Sequence, residues 1–73
     1  MCYYPRLRQL REQRQLPQKY IAWLLGTTQQ QYHKYEKGLQ EIPVHHLITL
    51  ANFYKTSVDY ILGVDDAKTK NDL

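Results

Sequence analysis

Gln29, Gln30, His33, Lys34 and Lys37 bring amide, imidazole and ammonium groups into one short window of the chain. On a helix turning 100° per residue they fall within about 140° of one another, whereas Tyr32, Tyr35 and Glu36 lie outside that arc. Glutamine donates and accepts through one amide, which matches N6 and N7 of adenine in the major groove. The first residues of a recognition helix are the ones that reach base edges. Two adjacent glutamines opening a helix, followed by cations, are therefore candidates for reading duplex DNA. Without context, the run Gln29–Gln31 is more simply a solvated helix surface, and spacing alone does not decide against that.

These side chains need elements to hold them. Tyr20, Ile21, Leu24 and Leu25 recur at helical spacing, and the pattern stops at Gly26, whose missing Cβ permits the left-handed conformation that ends a helix. Thr28 then offers its hydroxyl to the unbonded amides of a new helix beginning at Gln29. A helix, a short turn containing Gly and a second helix form the local pattern of a helix-turn-helix, although other αα-hairpins share it.

Gln18, Ala22, Gly26, Thr28, Tyr35, Glu36 and Gly38 stand in the order and spacing of the Cro/cI-type helix-turn-helix family, which comprises the lambdoid phage repressors and the XRE-like bacterial regulators. The chain resembles that family from Arg6 to Gly63. GTTQQ is similar to the entrance of the lambdoid recognition helix, RLRQLREQR to the family's first helix and SVDYILG to its last. The resemblance implies an all-α fold, a compact five-helix lambda-repressor-like domain in which helices 2 and 3 form the helix-turn-helix. It also implies binding of double-stranded DNA. Gln29, Gln30 and Lys34 would read base edges with His33 at the margin, and Thr28 would cap the helix and touch a thymine methyl. Gln18, Lys19, Lys37 and Gln40 would hold phosphates. Arg11 and Glu36 would form a structural ion pair joining helix 1 to the recognition helix. Val58, Ile61 and Leu62 would supply the seam of a homodimer, the alternative being that they only complete the monomer core. At position 17 the sequence departs from the family, which usually has Ser or Thr there; Pro17 cannot cap helix 2 through a side chain.

Pro5 suits the first turn of a helix, and Leu7 and Leu10 fall one turn apart, predicting helix 1 over about 5–14. Residues 39–43 form a loop, Pro43 begins a helix over about 44–54 lined by Leu47, Leu50, Ala51 and Tyr54, and Ser57 caps a last helix that ends at Gly63. Tyr32 is expected in the core and Trp23 as a partly covered surface aromatic. The predicted organisation is an N-terminal arm at 1–4, the domain at 5–63 and a polar tail at 64–73.

The formal net charge is +3, and its distribution says more than its size. Residues 1–40 carry seven Lys and Arg against two Glu, a net of +5, while residues 41–73 carry three Lys against five acids, a net of −2. The positive half is the half with the helix-turn-helix, as contact with phosphates would require. Cys2 is alone, no apolar run approaches the roughly 18 residues of a membrane span, and no apolar signal region opens the chain, so a soluble cytoplasmic protein is expected. His45 and His46 are adjacent and diverge by about 100° on a helix, and no paired Cys or His spacing suits a metal. No catalytic constellation or phosphate loop stands out, so neither an enzyme nor a cofactor is expected. These observations predict a small bacterial or phage transcriptional regulator, most simply a repressor. The alternative is a protein-interaction module or antitoxin-like partner that keeps the fold and uses Trp23 and the tyrosine-rich surface.

Overall fold

In the computed structural model, residues 3–64 are described, and they form five helices. These are α1 (Pro5–Gln13), α2 (Gln18–Leu25), α3 (Gln29–Lys37), α4 (Val44–Tyr54) and α5 (Val58–Leu62). The largest fully buried side chains are Leu7, Ile21, Tyr32, Leu50 and Ile61, one from each helix. The core thus lies where all five helices meet, and each element is held chiefly by what it buries there, since helices this short are marginal alone in water.

The turns follow the residues that form them. Gly26 adopts φ 73°, and its neighbour's amide closes the end of α2, with Thr27 N–H donating to the Ala22 carbonyl at 2.9 Å. A Cβ at Gly26 would meet nothing within 4 Å, so the position needs glycine for its backbone conformation and not for space. Thr28 Oγ1 accepts from the Gln31 amide at 3.0 Å and starts α3, and Ser57 Oγ does the same for α5 through the Tyr60 amide. Lys55 ends α4 in the left-handed region at φ 57°, where a side chain is strained.

Several sequence expectations shift by a residue or a degree of burial. Helix α1 stops at Gln13, with Arg14 as its cap and Gln15 at φ 57° turning the chain. Pro43 precedes α4 with extended backbone instead of opening it, and Pro17 does the same for α2, neither giving a side-chain cap. Tyr20 is more exposed than its place on the apolar stripe suggested, whereas Ala22 is buried. Trp23 is 71% exposed, with its ring 5.7 Å from that of Tyr20. Ile42, assigned to a plain loop, is buried and seals the core beneath the α3–α4 connection. Tyr4, assigned to the arm, stands at the residue before α1 without a side-chain cap and packs on the core. Of the expected seam, Ile61 is 1% exposed and belongs to the core, so only Val58 and Leu62, both half-buried, retain surface. Residues 1–2 of the arm and 65–73 of the tail lie outside the described residues.

Candidate nucleic-acid interface

The exposed side of α3 is shaped by what its other side must bury. Tyr32, Tyr35 and Glu36 turn inward, which rolls Gln29, Gln30, His33, Lys34 and Lys37 to the surface. Gln18 from α2 and Leu39 beyond α3 complete an open groove of about 470 Å³ together with Gln29, Gln30, His33 and Lys34. Lys37 lies in an adjoining hollow of about 220 Å³ with Arg8 of α1, and Gln18 and His33 line both. Leu39, 65% exposed on the groove's edge, had no sequence signal beyond its place after Gly38.

Beneath this face lies a hydrogen-bonded network centred on Glu36, which is 5% exposed. Arg11 donates to it twice, Nε to Oε2 at 2.7 Å and Nη2 to Oε1 at 3.2 Å, and its Nη1 donates to the Leu16 carbonyl at 2.8 Å. The pairing implied for these two residues is therefore present and bidentate, and it ties α1 to α3. Gln18 Nε2 donates to Glu36 Oε1 at 3.0 Å, and Gln18 Oε1 lies 3.3 Å from His33 Nδ1. Burial by itself would push the Glu36 carboxyl up, but hydrogen bonds from Arg11 and Gln18 and the Arg11 charge outweigh it and hold the group below the usual carboxylate range. The hydrogen bond to Glu36 raises the Arg11 pKa against the opposing effect of burial. Tyr32 lies beside this carboxylate, and burial, then the Glu36 charge, keep its phenol protonated.

The cations divide by role. Arg6 donates to the Tyr60 carbonyl at 2.8 Å and lies over the Tyr60 ring, and Arg14 donates to the Tyr54 carbonyl at 3.3 Å. Arg8 pairs with Glu12 on the surface at 2.8 Å. Much of the positive charge in residues 1–40 is thus spent joining helices. Among the described residues Lys19, Lys34 and Lys37 are exposed and carry no ion-pair partner.

The remaining expected site residues are spread around this face. Lys19 lines neither hollow. Thr28 is occupied as the α3 cap. Gln40 is held by Gln31, whose Nε2 donates to Gln40 Oε1 at 2.7 Å, a tie between helix and loop that the sequence did not signal. No group of three or more His, Cys, Asp or Glu suited to a metal occurs among the described residues. No helix there is long and apolar enough to cross a membrane.

Residues 7–61 match a helix-turn-helix family model. The chain is 41% identical over 64 residues to an uncharacterized HTH-type transcriptional regulator, YobD, of Bacillus subtilis (strain 168), covering 88% of this chain and 57% of that protein. It is 31% identical over 67 residues to the HTH-type transcriptional regulator ImmR of the same organism, covering 92% of this chain and 53% of that protein. The chain thus spans little more than half the length of these relatives. Among solved structures it is similar to a transcriptional regulator from Listeria innocua, with a TM-score of 0.76 and 26% identity over 89% of this chain and 65% of that one. With the five-helix architecture and the α2–α3 geometry, these likenesses fix the assignment: the chain belongs to the Cro/cI-type, XRE-like helix-turn-helix family of DNA-binding transcriptional regulators.

Proposed function

We propose that this protein binds specific sequences of double-stranded DNA with α3 in the major groove and acts as a repressor by blocking polymerase access. The observation that carries the reading is the groove lined by Gln29, Gln30, His33 and Lys34, polar and cationic on the exposed side of the second helix of the motif. Gln29, Gln30 and Lys34 read base edges, and Leu39 on the groove's edge and the Thr28 methyl supply contacts with thymine methyls. Lys19, Lys37 and Gln40 hold phosphates; the Gln31 bond occupies Gln40 Oε1 and leaves Nε2 as its donating end. Gln18 serves the phosphate through the amide end of α2 more than through its side chain, which is engaged with Glu36 and His33.

A domain of homeodomain size buries roughly 600–1,000 Å² of its own surface on DNA, too little for tight selection alone, so the working form is a homodimer on half-sites about 34 Å apart. Val58 and Leu62 supply its seam. A second reading, a protein-interaction module, is favoured by one observation, the exposed Trp23 beside Tyr20.

Selection from a randomised duplex library at about 150 mM salt separates the two readings. Two inverted half-sites are the expected result. Gln30→Ala then relaxes preference at one base position, while Lys37→Ala weakens all sequences alike and flattens the salt slope. Uniform loss from both substitutions removes the base-reading role of Gln30, and binding blind to sequence removes the regulator reading.

A further inference from the structure

We propose that His33 reads DNA as a hydrogen-bond acceptor through Nε2, and so selects a base that presents an amino group in the major groove, adenine or cytosine, on the strand it contacts. This rests on the reading of α3 as the major-groove helix. The polarity comes from the chain of hydrogen bonds beneath the groove.

Arg11 only donates, so Glu36, ionised against it, only accepts. The Gln18 amide reaches Glu36 at 3.0 Å, and a carboxylate oxygen there can be met only by the NH2 end. That fixes the orientation of an amide that would otherwise be free to flip, and it aims Oε1 at His33. An amide oxygen has no proton to give, so across the 3.3 Å contact His33 Nδ1 must carry the hydrogen. In a neutral imidazole the other nitrogen is then bare. His33 is exposed and lines the same groove as Gln29, Gln30 and Lys34, so its acceptor belongs to the base-reading face. Adenine N6 and cytosine N4 offer it a proton, whereas guanine O6 and thymine O4 present only lone pairs. Gln18 acts here as a positioning residue, and the buried ion pair sets the direction of each bond outward from it.

The test has two readouts on the full chain. Long-range 1H–15N spectra at about pH 8.5, where imidazoles are neutral, assign the tautomer of His33 without DNA. The expected form has the proton on Nδ1, and Gln18→Leu or Gln18→Met, which removes the accepting oxygen, releases it to the Nε2-protonated form usual for free imidazole. In duplex selection the wild type retains adenine or cytosine at one position of the half-site. Exchange to guanine or thymine there weakens binding by about three- to tenfold, the scale of one hydrogen bond. His33→Ala, an exposed change that leaves the core intact, abolishes that preference and spares the positions read by Gln29 and Gln30. An Nε2-protonated His33 in the wild type overturns the inference. So does a position sensitive to His33→Ala that prefers guanine or thymine, or a recovered motif that His33→Ala leaves unchanged. Recovery of no motif at all brings down the base-reading function itself, a result distinct from each of these.

Discussion

Replacing Glu36 with Gln asks how much one buried carboxylate contributes to holding α1 against α3. Glu36 accepts two hydrogen bonds from Arg11 and one from Gln18 while 5% exposed. Glutamine keeps the shape but has a single acceptor oxygen, and its NH2 must face at least one of those donors. The Arg11 side chain, 12% exposed, loses its counter-ion in a place where little water can replace it. Removing one partner of a buried pair costs about 3–5 kcal/mol, and the surviving bond from Arg11 to the Leu16 carbonyl places Glu36→Gln near the low end, about 3 kcal/mol. A domain this short holds roughly 4–11 kcal/mol in all, so the variant loses a quarter or more of its stability. Urea unfolding at pH 7, followed by helical circular dichroism, shows this as a lower midpoint with an unchanged slope.

The pH dependence carries the same signature. The folded pKa of Glu36 lies below its ordinary 4.5, so its contribution is complete above that value and is lost as pH falls through the lower folded one. Glu36→Gln therefore flattens the acid limb of the stability curve below about pH 4.5. The double variant Arg11→Met, Glu36→Leu leaves no charge stranded and is more stable than either single polar deletion. A Glu36→Gln midpoint equivalent to within about 0.5 kcal/mol of wild type, or an unaltered acid limb, refutes the account of Glu36 as the centre of the network.

Other perturbations test the scaffold. Lys55→Gly relieves a left-handed residue at the end of α4 and raises stability by up to about 1 kcal/mol after the added freedom of the unfolded chain is counted; thermal unfolding that moves downward contradicts the strain. Tyr54→Phe removes a buried hydroxyl that has no hydrogen-bond partner among the described residues, and whose pKa burial pushes up to about 12. The change is neutral or stabilising by about 1 kcal/mol, and a loss above that in urea unfolding reveals a partner for the hydroxyl. His46, lowered by burial and then by His45, opposes protonation in the fold, so stability falls as pH drops from its ordinary 6.5 through the lower folded value. His46→Gln shallows that slope in the same measurement.

The elements were legible where they are bounded by residues with a backbone role. Gly26, Gly38 and Gly63 adopt positive φ at helix ends, and Thr28 and Ser57 cap the helices after them. The exposed polar face of α3 was legible from the angular spread of Gln29, Gln30, His33 and Lys34, since helical period fixes which side chains share a side. Partners at a distance in sequence were not. Nothing local marks Arg6 for Tyr60 or Arg14 for Tyr54, and an arginine bound to a carbonyl reads in the sequence like one awaiting a phosphate. Gln18 shows the same gap, because its commitment to Glu36 depends on how α2 crosses α3. Ile42 was missed for another reason, being one apolar residue in a loop with no period to reveal it.

Small size explains why the proposed self-association seam was harder to read than the polar face of α3. A domain this small buries only a little over about 60% of its unfolded surface, so each of the five helices commits an apolar side chain fully to the core. In α5, a helix of five residues, Ile61 meets that need and cannot also serve a partner. The proposed seam on α5 is then left with what the core leaves half-covered, Val58 and Leu62, and with the exposed neighbour Val64. Charged substitution separates the two uses: Leu62→Glu disrupts self-association while the fold survives, whereas Ile61→Glu, which buries an unpaired charge, abolishes folding before association can be measured. Sedimentation equilibrium of Leu62→Glu against wild type decides the matter, and an undiminished dimer moves the seam away from α5.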